Sequence, residues 1–394
     1  MRFPRLALYL SYLLLLLAGC SSDDGSAGAG GQGGSGGMVP TPPLGCDPLA
    51  PTYCAFPYPN DYYTVDDSGT VTGRRLALPE DIMPPSRVGQ RSTPDAFNEM
   101  DGFSPGIAAM THLPGATVTG LATPDTIADS LLDDSPTVIL NAETGERVPH
   151  WVDRDEWVVQ AKTRIEVGEE KPDFPSLTRS VEELREEQAM MLRPAVRLDD
   201  ATRYVVAFRD IVDGEGALLP PSPGFRALRD DMPADEDADI IESRRAHFEE
   251  IFTILADAGV ARDDLQIAWD FTTASRENNT SAMLHIRDDA FAKYPDGVPY
   301  TVEVITDTPM EGMACRLEIT FDVPLYMTGG ETGELLNLGE DGLPEQNDTY
   351  PYAAAMFVPV SATEEGTPAP LVAVGHGQLG AKEQVFGYRE LWAT

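Results

Sequence analysis

The sequence predicts a mixed α and β protein with a β-rich N-terminal region, followed by the start of an α/β unit. Three patterns support this fold class. From Trp157 to Val167 the residues at every second position, most of them apolar, alternate with mostly polar neighbours, as in a half-buried strand. Apolar residues at helical spacing across residues 236–258, stopped by Gly259, predict an amphipathic helix. The apolar runs at 353–359 and 370–374 lack alternation, as in strands covered on both faces.

Shorter sequence patterns predict the strands, helices and turns that lie between these three segments. Alternating or β-branched residues predict further strands, and turn residues separate them. A short helix could interrupt the β-rich region at residues 182–191, and a second helix is expected at 281–292. The remaining strands are expected at residues 137–140, 202–208, 265–273 and 319–327, with turns at 141–145 and 213–216.

Composition excludes several classes of function. The chain has 394 residues, 42% of them hydrophobic and 24% charged, which is typical of globular proteins. Lys and Arg total 28 against 65 Asp and Glu, and a net charge of -37 repels the phosphates of nucleic acids. The five histidines form no zinc-binding pattern, and the acidic run at 230–242 lacks the glycine of a calcium loop. We therefore expect no nucleic-acid partner, no metal and no cofactor.

The N-terminus carries an export signal. Arg2 and Arg5 precede an apolar stretch at residues 6–18, which is too short to span a bilayer but fits a signal peptide. The next residues complete the sequence LAGC, which resembles a bacterial lipobox. This resemblance implies cleavage before Cys20 and acylation of that cysteine. Ser21 after the cysteine, instead of Asp, implies an outer-membrane lipoprotein of the cell envelope, attached to the membrane by its lipid.

A tether and a cysteine pair follow the export signal. Residues 21–43 are rich in Gly and then in Pro, and such a composition behaves as a flexible linker. Cys46 and Cys54 bracket the loop CDPLAPTYC, and we expect a disulfide between them because an exported protein meets an oxidising compartment. Cys315 is then left without a partner, and its default interpretation is a buried, inert thiol.

The last apolar run leads into the glycine-rich sequence GHGQLG at residues 375–380. A strand followed by His-Gly in such a loop is how many α/β-hydrolases place a backbone oxyanion donor. The stretches FPYPNDYYT, LALP and EMDGFSPG, at 56–64, 76–79 and 99–106, resemble the bacterial virulence-factor lipase N-terminal family. Three later stretches, YVVAFRDIVDGEG, AGVARDDLQIAWDFTTAS and VAVGHGQLG, resemble matching segments of large exported hydrolases.

The resemblance implies a β-rich region leading into an α/β-hydrolase domain that acts on carboxylic esters, including lipids. It implies that the backbone N–H of Gln378, with Leu379 as a second candidate, donates to the oxyanion. His376 and Gly377 would shape the loop, because the triad histidine of this fold follows the nucleophile in the chain. Residues 101–230 also resemble the late strands of bacterial immunoglobulin-like domains, which implies a sandwich.

No complete catalytic triad is recognised in this sequence. Only 18 residues follow His376, whereas the serine elbow, the acid and the triad histidine are all expected beyond that loop. The match GGSGG at residues 33–37 lies in the tether, where nothing can hold a strained elbow. In GFSPG, at residues 102–106, the elbow would need the backbone N–H of the residue after Ser104, and Pro105 has none. We therefore expect an N-terminal portion truncated before the nucleophile, inactive by itself.

Two functions from different classes follow from the sequence. The first is the N-terminal part of an exported, lipid-anchored esterase or lipase. The alternative is a non-catalytic envelope lipoprotein whose immunoglobulin-like domain binds a partner or acts as a spacer. Trp157 and Trp269 are expected in the core, with sugar stacking as the less favoured role. The expected segments are a signal peptide (1–19), a lipidated tether (20–43), a β-rich domain (44–230), a helix-strand connection (231–350) and the start of a hydrolase domain (351–394).

Overall fold

A computed structural model describes residues 45–84, 90–154, 180, 188–305, 312–331, 333–363, 370–375, 377 and 381–382. In these residues the protein is mixed α and β with a β-rich character. The strands are β1 Thr64–Asp66, β2 Arg74–Leu76, β3 Ala109–Thr111, β4 Thr137–Asn141, β5 His150–Arg154, β6 Met190–Pro194, β7 Arg203–Arg209, β8 Leu265–Thr272, β9 Tyr300–Ile305, β10 Met313–Leu325 and β11 Asp348–Pro359. The α-helices are α1 Pro223–Arg229, α2 Ala238–Asp257 and α3 Arg276–Lys293.

The described strands form four small antiparallel sheets. Their strand orders are β1-β2, β3-β6-β5, β4-β7-β8 and β11-β10-β9. The β4-β7-β8 sheet joins residues on both sides of residue 230, because β7 pairs with β8 from Arg203 opposite Thr272 onwards. We call residues 45–84, 90–154 and 188–275, which hold the first three sheets together with α1 and α2, the body.

The core of the body lies on the β4-β7-β8 sheet. All eight residues of β8 are buried, and so are six of the seven residues of β7. Trp269 of β8 stacks on Phe208 of β7 with ring centroids 6.0 Å apart, and its indole N–H donates to the Pro59 carbonyl at 2.7 Å. Trp269 is fully buried, which confirms it as a core aromatic residue.

Helix α2 packs on this sheet by its apolar stripe. Ile241, Phe248, Ile251, Phe252 and Leu255 are buried, as their helical spacing predicts. The helix ends in a Schellman motif around Gly259, whose φ of +79° suits a residue without a β-carbon. The N–H groups of Gly259 and Val260 bond back to the carbonyls of Ala256 and Leu255. Both the helix and its stop at Gly259 are confirmed.

Most of the other predicted elements are confirmed, with small shifts at their ends. The strands expected at 137–140, 202–208, 265–273 and 319–327 correspond to β4, β7, β8 and the end of β10. The second helix begins earlier than expected, because Ser275 caps its N-terminus and accepts a hydrogen bond from the Asn278 N–H. The strand expected at 157–167 lies outside the described residues.

Three predictions for individual segments are wrong. Residues 353–359 are not buried on both faces but belong to β11, an antiparallel strand whose residues are all half-buried or exposed. Residues 370–374 form no strand and are exposed. Met190 and Met191 belong to β6, so the possible helix at 182–191 does not reach them. Small and apolar residues fit an open antiparallel hairpin as well as a buried strand, and composition alone does not separate the two.

In the GFSPG segment, close packing against the backbone after β8 requires glycine at position 102. Phe103 is buried and bonds to the end of β8, with its N–H on the Thr272 carbonyl at 2.9 Å and its carbonyl accepting from the Ala274 N–H at 2.7 Å. A β-carbon on Gly102 would lie 2.6 Å from the backbone nitrogen of Ala274. Ser104 is exposed, and its hydroxyl accepts from the Gly106 N–H at 3.3 Å. The motif is therefore a turn that covers the edge of β8.

This packing gives a test with a matched control in the same motif. Gly102→Ala should lower the free energy of unfolding by about 2 kcal/mol or more, because backbone cannot easily move away from the new methyl group. Gly106→Ala should change it by less than about 0.5 kcal/mol, since the nearest atom to its added β-carbon is the Ser104 hydroxyl at 3.8 Å. Urea unfolding measures both, and equal losses would contradict the packing explanation.

Candidate functional site

The structure describes little of the expected oxyanion loop. Gly375 and Gly377 are described and exposed, whereas His376, Gln378 and Leu379 lie outside the described residues. Cys20, the expected lipidation site, also lies outside them. Of the helices in the described part of the chain, none has the length and apolarity that a membrane crossing requires.

The three remaining cysteines are described. Cys46 and Cys54 are joined by a disulfide with an S–S distance of 2.02 Å. Cys315 lies on β10 and is half-buried, so the default interpretation of a buried thiol is wrong for this residue. Its side chain belongs to an open sheet face, described below.

A buried polar cluster around Asp270 of β8 is the densest group of ionisable side chains in the body. The Asp270 carboxylate accepts from the Arg203 Nε at 2.6 Å and from the His247 Nε2 at 2.8 Å. Arg203 also pairs with Glu250 on α2 at 2.8 Å. A His-Asp pair is part of many catalytic triads, but His247 forms no hydrogen bond to a hydroxyl or thiol among the described residues.

A second buried carboxylate, Asp61, faces the same strand. It accepts from both the backbone N–H and the hydroxyl of Thr272, at 2.8 and 2.7 Å, and lies 3.5 Å from the Arg74 Nε. Burial, and then the negative charge of Asp270, raise the pKa of Asp61 above its usual range. Burial alone would also raise the pKa of Asp270, but the hydrogen bond from His247 and the charge of Arg203 outweigh it and lower that pKa.

The Asp270 cluster stabilises the fold. Its members come from the 60–64 segment, β2, β7, α2 and β8, and each carboxylate has at least two donors. No group of three or more His, Cys, Asp or Glu side chains suited to a metal ion is found among the described residues. The cluster therefore holds these segments together. Its residues do not line the open groove beside α3.

A second cluster attaches the disulfide loop to α2. The buried carboxylate of Asp47 accepts from the Asn60 amide and from the Arg244 guanidinium, each at 2.7 Å. The Arg244 guanidinium in turn lies over the rings of Tyr62 and Phe248, 4.7 and 5.0 Å from their centroids. Every charge in this cluster is partnered within the protein, so it too serves the fold.

An open groove of about 390 Å³ lies between α3 and the 339–345 loop. Asp289 of α3 lines it and is already engaged by the Lys293 ammonium at 2.8 Å and the Tyr326 hydroxyl at 2.5 Å. These hydrogen bonds lower the pKa of the Asp289 carboxyl. The loop adds Glu340, Asp341 and Glu345. The groove is acidic and open to solvent, and it assembles no recognisable catalytic set.

The β9-β10-β11 sheet presents an exposed apolar surface. One side of this sheet carries uncharged, mostly apolar residues in cross-strand rows set by the register, and we call these rows the apolar face. The face ends where Leu325 pairs with the charged Asp348 on the same side. None of the residues in these three strands is buried. The apolar face consists of Tyr300, Val302 and Val304 on β9, Cys315, Leu317, Ile319, Phe321 and Val323 on β10, and Tyr350, Tyr352, Ala354, Met356 and Val358 on β11.

Comparisons with protein-family models, with curated proteins and with solved structures find no match. The sequence contained a signal for the apolar face, because residues 300–304 and 315–323 alternate in step. It contained none for the Asp270 cluster, whose members Asp61, Arg203 and His247 are far apart in the chain.

The Asp270 cluster predicts a pH-dependent loss of stability. Asp270→Asn should lower the free energy of unfolding at pH 7 by on the order of 3 kcal/mol, because Arg203 loses its buried counter-charge. A lowered folded-state pKa contributes stability that is present above the unfolded pKa of about 3.9 and is lost as the pH falls through the folded value. The deficit of the variant should therefore shrink at pH 3 and below.

Urea unfolding at pH 7 and pH 3 measures this difference. The matched control is Asp263→Asn, which removes the same charge at an exposed position just before β8. It should change stability by less than about 0.5 kcal/mol at either pH. A deficit for Asp270→Asn that stays constant down to pH 2 would contradict the assignment of Asp270 as the ionised member of the pair.

Proposed function

We propose that this chain is the N-terminal part of an exported, lipid-anchored hydrolase of carboxylic esters. In this proposal Cys20 carries the lipid, residues 21–43 hold the protein off the outer membrane, and the body supports a hydrolase unit that follows the β10-β11 hairpin. The observation that carries the proposal is the GHGQLG loop, placed after a long antiparallel hairpin, β10-β11, that follows a β-rich body.

Two features of the body support the role of a carrier. The sheets β3-β6-β5 and β4-β7-β8 are both antiparallel and three-stranded, which is consistent with the immunoglobulin-like sandwich that the sequence resembles. Its buried charges are engaged by partners within the body, as at Asp47 and Asp270. Such a body is suited to positioning the hydrolase unit. Ester hydrolysis is then carried out by the residues that follow the β10-β11 hairpin.

The proposed chemistry needs little from this chain beyond the oxyanion loop. When a nucleophile attacks an ester carbonyl, negative charge develops on the carbonyl oxygen, and preorganised N–H donors stabilise it. The backbone N–H of Gln378, with Leu379 as a second candidate, is assigned this role, while His376 and Gly377 shape the loop. Residues 21–394 alone should hydrolyse no p-nitrophenyl ester, since they contain no recognisable triad.

The assignment of Gln378 can be tested in the native polypeptide, isolated from the cell envelope with an antibody against the body. Gln378→Pro removes the backbone N–H and should lower kcat for p-nitrophenyl esters by about 100- to 1000-fold. Gln378→Ala keeps that N–H and changes only the side chain, so it should retain activity within about threefold.

Three results would count against the hydrolase proposal. The native polypeptide could lack ester hydrolysis altogether, Gln378→Pro could leave kcat unchanged, or both variants could lose activity equally. Thermal unfolding of the variants distinguishes a lost donor from a disrupted fold, because only the second lowers Tm.

The second candidate is a non-catalytic envelope lipoprotein whose body binds a partner or acts as a spacer. It is favoured by the absence of an assembled catalytic set in the described residues and by the uncharged apolar face. Under this candidate, residues 44–365 should show saturable binding to an envelope component such as a glycan. The hydrolase proposal expects no such binding by the body.

A further inference from the structure

We infer that the apolar face of the β9-β10-β11 sheet is a self-association surface, which packs against the same face of a second copy of this chain. This inference goes beyond the proposed function and does not depend on it. It concerns the described residues of the sheet and the surface they present.

The register brings large apolar side chains into continuous rows across all three strands. Phe321 on β10 lies between Tyr300 on β9 and Tyr352 on β11. The Phe321 and Tyr300 rings are 6.0 Å apart between centroids. The next two rows place Ile319 beside Val302 and Ala354, and Leu317 beside Val304 and Met356. Since neighbouring rows point to the same side, the face is one unbroken apolar surface.

Large apolar side chains on the two outer strands of this face are exposed. Tyr300 is 64% exposed, Val304 56% and Tyr352 52%. No charged side chain interrupts the face, although 24% of the chain is charged. Contiguous apolar patches of this kind on soluble proteins mark interaction sites. We therefore expect the apolar face to be covered by a binding partner.

The opposite side of the same sheet has the character of a solvent surface. Glu318 on that side pairs with the Arg316 guanidinium at 3.2 Å and with the Lys382 ammonium at 2.7 Å. Glu303 of β9 lies directly beside Glu318 in the register. Every charged residue of the three strands except Asp348, at the end of the apolar face, thus lies on this side of the sheet. The apolar side is therefore the one suited to packing.

The size of the apolar face fits a weak dimer. The face spans nine residues of β10, which is about 30 Å, and three strands are about 14 Å wide where β9 is present. Allowing for the shorter β9, the flat footprint is roughly 400 Å², and the corrugation of side chains increases the accessible area. A standard interface buries about 800 Å² on each partner, so this face corresponds to the small interfaces of weak complexes.

The chemistry of the face selects a second copy as its occupant. A sheet face packs well against another sheet face, at about 10 Å separation and a small angle, and a two-fold axis makes one surface its own complement. A net charge of -37 repels anionic lipid surfaces and other copies of this chain alike, so sheet packing and two-fold symmetry, and not net charge, favour the second copy. Salt screens the repulsion between two copies, whereas the packing of their apolar faces does not depend on charge.

Sedimentation velocity of residues 21–394, which contain every described residue, tests the inference. Wild-type protein should form a dimer at tens of micromolar, a concentration within reach of the interface size. Phe321→Lys places a charge in the centre of the face and should raise the dimer Kd more than about tenfold. Thr320→Lys adds the same charge on the opposite side of the same strand and should leave the Kd within about threefold.

Salt supplies an independent readout. Raising NaCl from about 0.05 to 0.5 M should tighten the wild-type dimer, because it screens repulsion between two acidic copies and leaves apolar packing intact. A dimer held together by ion pairs would instead weaken as NaCl is raised, and that result would contradict apolar packing.

Three results would overturn the inference. They are a wild-type protein that stays monomeric at about 200 µM, a dimer that Phe321→Lys leaves intact, or equal weakening by both substitutions. A monomer that binds neutral vesicles through Phe321 would assign the face to a lipid surface instead. Thermal unfolding of both variants shows that any loss of the dimer is not a loss of the fold.

Discussion

The fold of the body depends on how the unpaired backbone groups along one edge of the buried strand β8 are hydrogen-bonded. β8 lies at the edge of the β4-β7-β8 sheet, yet all its residues are buried, so its free backbone groups cannot turn to water. The Asp61 carboxylate accepts from the Thr272 N–H, while the Phe103 N–H donates to the Thr272 carbonyl and the Phe103 carbonyl accepts from the Ala274 N–H. The edge is covered by a carboxylate and a glycine-flanked turn in place of another strand.

That solution brings two carboxylates close together, and the surrounding charges follow from it. Asp61 lies near Asp270, whose negative charge disfavours ionisation of Asp61. Arg74, Arg203 and His247 supply the compensating donors. Because these donors come from β2, β7 and α2, the need to neutralise a buried acid fixes the positions of three elements around β8. The body is therefore organised by a polar constraint as much as by its aromatic core.

The sequence predicts the local part of this structure well. The stripe of α2 and its stop at Gly259 follow from helical spacing and from the preference of glycine for a positive φ. Trp269 and the strands around it follow from β-branched and aromatic residues. The error at residues 353–359 arises because a run such as AAAMFVP has the same composition in a buried strand and in an open hairpin. The Asp270 cluster could not be predicted, since its partners meet only through tertiary folding.

The two halves of the described chain differ in what covers them, and this difference shapes the functional proposals. The body has a continuous core of buried apolar residues, whereas no residue of the β9-β10-β11 sheet is buried. A carrier body followed by a sheet that needs a cover is compatible with a hydrolase unit that starts beside it. It is equally compatible with a protein that pairs through its apolar face, and the two roles can coexist.

The central claim is that the body is stabilised around β8 independently of the β9-β10-β11 sheet. Hydrogen exchange followed by mass spectrometry, on the Phe321→Lys variant so that association is removed, tests it most directly. The account predicts that amides of β7 and β8 exchange only through global unfolding and that amides of β10 exchange earlier, through local opening. Equal protection of β8 and β10 at every time point would contradict the claim.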